Sequence, residues 1–311
     1  MKISIIGATG NVGSCAAFNI AVSGVADEMV LIDNPRPDLL TLHALDINTA
    51  VTGRDMVVRG GDYADMTDSD IVIIAAGSTQ FARSRLEVLP PNLPIIQDIS
   101  KKVLQYCQDA IVITASNPVC PLNYGMYRCS GLDRKKIIGY TYNDSLRFRS
   151  RLADALGVAS SRVEGWVIGE HGDSQVLLFS SVKIDGKPVD LNEDLKRKMR
   201  RQVPDGQKQL EELREKTGRT AAWTTAAGLT AVCRAIVEDK GTMIPCSVTL
   251  DGEYDVHSLS MSVPVTLGKG GIKDILEWKI APDEQELLNR SIEVLKPYMK
   301  YVEELLHLCR A

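Results

Sequence analysis

The 311-residue chain is poor in several things at once. Aromatic residues make up 5% of it, with only 4 Phe and 3 Trp, too few for the stacking platform on which single-stranded nucleic acids are bound. It has no basic excess: 36 Lys and Arg face 40 Asp and Glu, a net charge of -4. No overall electrostatic pull towards DNA or RNA follows from that balance. The apolar runs are short, as at residues 71–76 and 110–113, and none nears the roughly 20 residues of a membrane helix. The opening Met1-Lys2-Ile3-Ser4-Ile5-Ile6-Gly7 lacks the length and the small-residue cleavage pattern of a secretory signal. The seven cysteines, Cys15, Cys107, Cys120, Cys129, Cys233, Cys246 and Cys309, are odd in number, scattered and without a CxxC pair. They read as reduced thiols of a cytoplasmic protein rather than a disulfide framework or a zinc site, and no metal is expected.

What is present is ordinary for a soluble chain: 44% hydrophobic and 24% charged residues, which excludes disorder, collagen and coiled coil. At about 100–200 residues per domain, the length predicts two domains. The first part alternates. Short apolar strands are expected at residues 2–6, 29–32, 56–59, 71–76, 110–114 and 136–138, with helices at 11–23, 38–50, 94–107 and 120–129. Strands apolar at every position are covered on both faces, so the fold class is α/β, a doubly wound parallel sheet.

The pattern then changes. A helix at 142–156 stops at Gly157, and alternating strands at 162–168 and 176–184 precede the turn signal Asp185-Gly186. A long polar helix over 190–216 breaks near Pro204-Asp205-Gly206, and an Ala-rich buried helix covers 221–237. Strands at 243–250 and 259–267 flank Asp251-Gly252, and an amphipathic helix covers 284–308. The expected organisation is a nucleotide-binding domain over 1–140 and a second, α+β, substrate domain over 141–311.

Gly7-Ala8-Thr9-Gly10-Asn11-Val12-Gly13 joins the first strand to the first helix. Glycines let backbone approach a pyrophosphate, and the helix N-terminus offers it free N–H groups. Asp33 ends the next strand, where a carboxylate holds a ribose diol and repels a 2′-phosphate. NAD is therefore preferred over NADP, with Arg36 nearby keeping NADP open. The expected cofactor-binding set is Gly7, Gly10, Asn11, Val12, Gly13, Asp33, Ala76, Gly77 and Asn117. The same loop is similar to the opening of short-chain dehydrogenases, which need a YxxxK pair. No tyrosine here has lysine four residues on; Tyr124 is followed by Arg128 and Tyr140 by Asp144.

Four further segments stand out. Gly169-Glu170-His171-Gly172-Asp173-Ser174 sets one of only 4 histidines in a glycine-flanked turn. Asn143-Asp144-Ser145-Leu146-Arg147 places Asp144 and Arg147 on one helix face. Ser116-Asn117-Pro118-Val119 follows a buried strand at the sheet edge where such folds bind ligands. A polar loop over 77–92 carries Gln80, Arg83 and Arg85. Each has a bland reading alone: a surface histidine, a helix-surface ion pair of little worth, a turn, a solvated loop. Their joint occurrence behind a dinucleotide-binding half is what carries weight.

In this order the segments resemble the L-lactate/malate dehydrogenase family, nearest its archaeal-type malate dehydrogenases, over almost the whole chain. The resemblance implies an NAD-dependent oxidoreductase that moves a hydride between the nicotinamide and a small L-2-hydroxy acid or 2-oxo acid. It assigns His171 as acid–base, Asp144 as its orienting carboxylate and Arg85 as the arginine that polarises the carbonyl. Arg147 grips the substrate carboxylate, and Asn117, Gln80, Arg83 and Thr220 complete the substrate-binding set. It also implies a homodimer or homotetramer.

The chain departs from that pattern in the loop, which is one residue short and lacks its inner glycine. Gln80 falls where glutamine goes with lactate-like and arginine with malate-like substrates, while Arg83 lies three residues on. The two substrates stay open. So do two other functions: an NAD-dependent glycosidase-like enzyme, and a dinucleotide-binding sensor without turnover. Cys120 replaces an aspartate of the family pattern. Tyr142 and Asn143 stand where glycine and leucine are usual, with either a changed pocket or simple repacking as the consequence.

Overall fold

The computed structural model describes residues 1–33, 35–78 and 85–308; the side chains of Arg85, Leu86, His307 and Leu308 also lie outside the description. Gln80 and Arg83, named above as substrate residues, and Cys309 fall outside it too.

The first half runs β1 (Lys2–Ile6), α1 (Asn11–Ser23), β2 (Glu28–Ile32), α2 (Pro37–Ala50), β3 (Val57–Gly61), β4 (Ile71–Ile74), α3 (Arg85–Tyr106), β5 (Ile111–Thr114), α4 (Val119–Ser130) and β6 (Ile137–Gly139). These strands lie in the order β3-β2-β1-β4-β5-β6, and every pairing among them is parallel. β4 and β5 are buried at all four positions, as strands covered on both faces must be. The order reverses between β1 and β4, which opens a crevice beyond the C-terminal ends of the strands.

The second half adds α5 (Tyr142–Leu156), β7 (Val163–Ile168), β8 (Val176–Ile184), β9 (Lys187–Pro188), α6 (Glu193–Thr217), α7 (Trp223–Glu238), β10 (Thr242–Asp251), β11 (His257–Gly268), β12 (Gly271–Ile275) and α8 (Pro282–Leu308). Strands β10, β11 and β12 extend the first sheet antiparallel from β6, giving nine strands. The junction is a single pairing, Gly139 with Ser247, where a Cβ on Gly139 would stand 2.6 Å from the serine Cβ. β7, β8 and β9 form a separate sheet, whose core centres on Phe148 and Phe179, edge to face at 5.4 Å. Asp185 and Gly186 both have positive φ, the signature of the tight hairpin turn expected there.

Four expectations need correction. α3 starts at Arg85, well before residue 94, and runs through Pro90, Pro91 and Pro94. Leu89, Leu93, Ile96, Ile99 and Val103 form a buried stripe on it, and that packing outweighs the prolines' missing donors. α6 does not break at Pro204; Asn192 caps its start and Gly218 its end. The turn between β10 and β11 is longer than two residues and holds a helical turn at Glu253–Asp255. β12 escaped notice because Lys273 and Asp274 are exposed, as edge strands tend to be.

Cys15, Cys107, Cys233 and Cys246 are free thiols. Burial pushes the Cys107 thiol up to about 11 and that of Cys233 up to about 12, so both stay uncharged at neutral pH. Arg134 binds the Glu253 carboxylate through both terminal nitrogens, at 3.0 and 2.8 Å, and ties the approach to β6 to the β10–β11 turn. Those bonds hold the Glu253 carboxyl down to about 2, against an ordinary glutamate value of about 4.3. A depressed carboxyl stabilises the fold above its unfolded value, and the contribution is lost as the pH falls towards 2. Glu253→Gln is expected to cost on the order of 2 kcal/mol at pH 7 and to flatten the stability curve between about pH 4.5 and 2. Urea melts of both proteins across that range measure it; parallel curves would contradict it.

Candidate active site

Sequence-local chemistry shapes the glycine loop. Gly7 has φ 82°, and a Cβ there would stand 2.6 Å from the Ala76 nitrogen; one on Gly13 would strike the Gly7 carbonyl oxygen. Both glycines let β1, α1 and the strand end after β4 close on one another. Gly10 is the N-cap of α1 in extended conformation, with no side-chain cap and no acidic residue in the first turn. The N-terminal N–H groups of Asn11, Val12 and Gly13 therefore meet no capping side chain from that position, which suits a phosphate.

Asp33 lies just past the end of β2, and its carboxylate accepts from the Thr9 backbone N–H at 3.3 Å and from the Thr9 hydroxyl. Thr9, absent from the expected set, thus ties the Asp33 carboxylate to the glycine loop. Asn92 is a second residue that sequence reasoning missed. Its Oδ1 accepts from Ser78 N at 2.6 Å and its Nδ2 donates to Asn117 O at 2.8 Å, joining the segments that leave β4 and β5. Ala76 and Gly77 sit in that tied segment, and the Asn117 side chain is exposed. Loop, helix end, carboxylate and the two tied strand ends share the crevice edge of the sheet, and as a donor set they fit a dinucleotide.

The second half supplies the titrating groups. Asp144 lies in the first turn of α5, buried at 3% exposure, and its Oδ2 is 2.6 Å from His171 Nδ1. Arg147, one turn on, has Nη1 3.5 Å from the other oxygen, Asp144 Oδ1, which has no hydrogen-bond partner among the described residues. The structure thus brings His171 and Arg147 to the two oxygens of Asp144. Arg85 opens α3, with its side chain outside the described residues. Thr220 lies exposed between α6 and α7, and among the described residues no hydrogen bond joins it to the pair.

The pair is held from several directions. Gly169 and Ser262 exchange backbone bonds at 2.8 and 2.9 Å, which bolts the histidine turn to β11. Thr141, the N-cap of α5, donates to Ser262 Oγ at 2.9 Å, so one β11 residue anchors both partners. Ser145 Oγ accepts from Val167 N at 3.0 Å. Glu170 N donates to Ser291 Oγ on α8 at 2.7 Å, and its buried carboxylate accepts from Ser174 N and Oγ. Gly169 has φ 85°, and a Cβ there would stand 2.6 Å from Ser291 Oγ. Neither Ser262 nor Ser291 carries a local signal in the sequence.

Among the described residues no group of three or more His, Cys, Asp and Glu is arranged to hold a metal, and no helix is long and apolar enough to cross a membrane.

Comparison with known proteins agrees with this geometry. Residues 1–139 match the model of the lactate/malate dehydrogenase NAD binding domain, and residues 141–306 that of the lactate/malate dehydrogenase alpha/beta C-terminal domain. The chain is 36% identical over 298 residues to a malate dehydrogenase of Halobacterium salinarum, covering 94% of this chain and 97% of that one. It is 35% identical over 317 residues to L-lactate dehydrogenase 3 of Bacillus cereus, covering 97% and 98%. Among solved structures, the malate dehydrogenase of Cryptosporidium parvum superposes with TM-score 0.90 at 31% identity, covering 97% of this chain and 99% of that one. The lactate dehydrogenase of the same organism, solved with lactic acid and β-nicotinamide adenine dinucleotide, gives TM-score 0.87 at 32% identity over 97% and 98%.

Proposed function

The chain belongs to the lactate/malate dehydrogenase family, and we propose that the Asp144–His171 pair is its acid–base centre, with Arg147 holding the substrate carboxylate. The protein is an NAD-dependent oxidoreductase of 2-hydroxy and 2-oxo acids. The observation that carries the proposed roles is the 2.6 Å contact between His171 Nδ1 and a 3%-exposed carboxylate.

A bound nicotinamide would supply the hydride acceptor for the substrate's C2, and its reduced form the donor in the reverse direction. Gly10, Asn11, Val12 and Gly13 would hold its pyrophosphate and Asp33 its ribose hydroxyls, with Ala76, Gly77 and Asn117 at the nicotinamide end. The Asp144 bond to Nδ1 sets the tautomer in which Nε2 is the basic nitrogen of the ring. As the substrate hydroxyl becomes a carbonyl, His171 takes its proton on Nε2, and Asp144 stabilises the resulting imidazolium. In reduction the same proton is returned to the carbonyl oxygen. Arg147 offers a fork of parallel donors to the C1 carboxylate, which fixes C2 relative to His171. Arg85 is proposed to polarise the C2 oxygen, and Asn117 and Thr220 to border the substrate.

For the substrate's far end, a malate-type preference is proposed, supported by malate dehydrogenase relatives at 36% and 37% identity. Arg83 is then the cation for the second carboxylate. Gln80 favours a second reading, a lactate-type preference, because a neutral amide cannot pair with a carboxylate. Steady-state kinetics with oxaloacetate and pyruvate separate them. The malate-type reading expects Arg83→Ala to lower kcat/KM for oxaloacetate about tenfold or more and to leave pyruvate nearly unchanged. A wild-type preference for pyruvate, or equal losses, assigns the far end to Gln80.

The proposed division into domains falls after residue 140, supported by the separate matches to 1–139 and 141–306. A homodimer or homotetramer is proposed from exposed apolar side chains, Leu42 and Leu45 on α2 and Trp223 on α7, two helices that both pack against α1; sedimentation velocity reads it. A cytoplasmic location is proposed from the free thiols of Cys15, Cys107, Cys233 and Cys246.

A further inference from the structure

Beside the acid–base pair lies a second buried polar cluster that the mechanism above does not use. Tyr140 follows β6, its N–H bonded to Thr114 O at 2.8 Å, and its side chain is 2% exposed. Its hydroxyl donates to Asn143 Oδ1 at 2.7 Å. Asn143 Nδ2 in turn donates to Thr225 Oγ1 at 2.7 Å. Asn143 and Thr225 are 6% and 7% exposed. Burial pushes the phenol well above its ordinary value, so it remains a donor throughout the working pH range.

α7 is shaped to receive this cluster. Gly228 lies one turn beyond Thr225, and a Cβ there would strike the Tyr140 hydroxyl and stand 2.8 Å from its Cζ. Asn143 immediately precedes Asp144 in the first turn of α5. Among the described residues, the Asp144 carboxylate is hydrogen-bonded to His171 and meets Arg147 Nη1 at 3.5 Å on its other oxygen, and both contacts depend on where the backbone of that turn sets it. Thr141 ties the turn to β11 on one side, and Asn143 ties it to α7 on the other. α7 also packs against α1, the helix that opens at the glycine loop.

We propose that Asn143 is a positioning residue for the hydride-transfer reaction: the Tyr140–Asn143–Thr225 bridge fixes the catalytic turn of α5 against α7 and so sets the acid–base pair relative to the nucleotide loop. An apolar side chain at 143 would fill the same space and let the two helices slide. An amide between two hydroxyls admits one register, because a buried amide left with a bond unmade is costly. The inference deepens the proposed role of Asp144 and His171 and rests on that reading.

The test uses the full-length protein and near-isosteric changes, Thr225→Val, Thr225→Ser, Tyr140→Phe and Asn143→Leu. Thr225→Val and Asn143→Leu are expected to lower kcat about tenfold or more, with the NADH dissociation constant, read by fluorescence, within about twofold of wild type. Thr225→Ser, which keeps the hydroxyl, should recover most of that loss. Tyr140→Phe combined with Thr225→Val should cost no more than the worse single change, since both cut one bridge. A readout independent of turnover is the downfield proton resonance of His171 Nδ1–H, which only 4 histidines make assignable. It should move or broaden in Thr225→Val and stay in place in Thr225→Ser. A lowered Tm with kcat and the resonance unchanged would overturn the proposal and leave the bridge as packing. Should the wild type bind NADH yet reduce no 2-oxo acid, the acid–base reading fails, and the resonance alone still decides whether the bridge sets the pair.

Discussion

His171→Asn is expected to lower kcat at least about a thousandfold while NADH still binds. Asparagine keeps a polar group beside Asp144 but can neither accept nor deliver the substrate proton at neutral pH. The imidazole is hydrogen-bonded to the buried Asp144 carboxylate at 2.6 Å. The nucleotide loop is built from β1, α1 and the end of β4, remote in sequence from the histidine turn, so binding of the dinucleotide should survive. NADH fluorescence titration and single-turnover absorbance at saturating oxo acid give the two numbers. Retained turnover would remove the assigned acid–base group, and joint loss of binding and turnover would point to a misfolded turn.

Arg147→Lys carries the second large effect, a rise in KM for the oxo acid of about a hundredfold, or about 3 kcal/mol. Lysine keeps the charge yet loses the two parallel donors that match a carboxylate. It also loses the reach that places Arg147 Nη1 3.5 Å from Asp144 Oδ1. That oxygen is buried without a hydrogen bond among the described residues, so kcat should fall as well, by a smaller factor. Initial-rate kinetics over a wide range of oxo acid concentration separate the two parameters. An unchanged KM would mean that another cation holds the carboxylate.

Much of this was legible because it is local. Gly7, Gly10 and Gly13 with Asp33 give the nucleotide loop away by spacing, and the all-apolar β4 and β5 give the parallel sheet. Asp144 and Arg147 share a helix face by their separation alone, and the chain places His171 against them. What stayed hidden depends on contacts between distant segments. Ser291 reaches the histidine turn across 121 residues, and Ser262 anchors both partners from a strand whose alternation says nothing of catalysis. Asn92 sits in a helix whose prolines disguised its first turns. Asn143 was noticed as a departure, but only its bonds to Tyr140 and Thr225 tell a bridge from repacking.

In the proposed reaction this pair moves a proton while a nicotinamide would carry the hydride. The most direct test is NADH absorbance at 340 nm with the purified wild type and excess oxaloacetate or pyruvate, each alone. The account predicts oxidation of NADH in stoichiometric step with formation of the 2-hydroxy acid for at least one of them. NADH that binds but is never oxidised, with either acid and across pH 5 to 9, would contradict it.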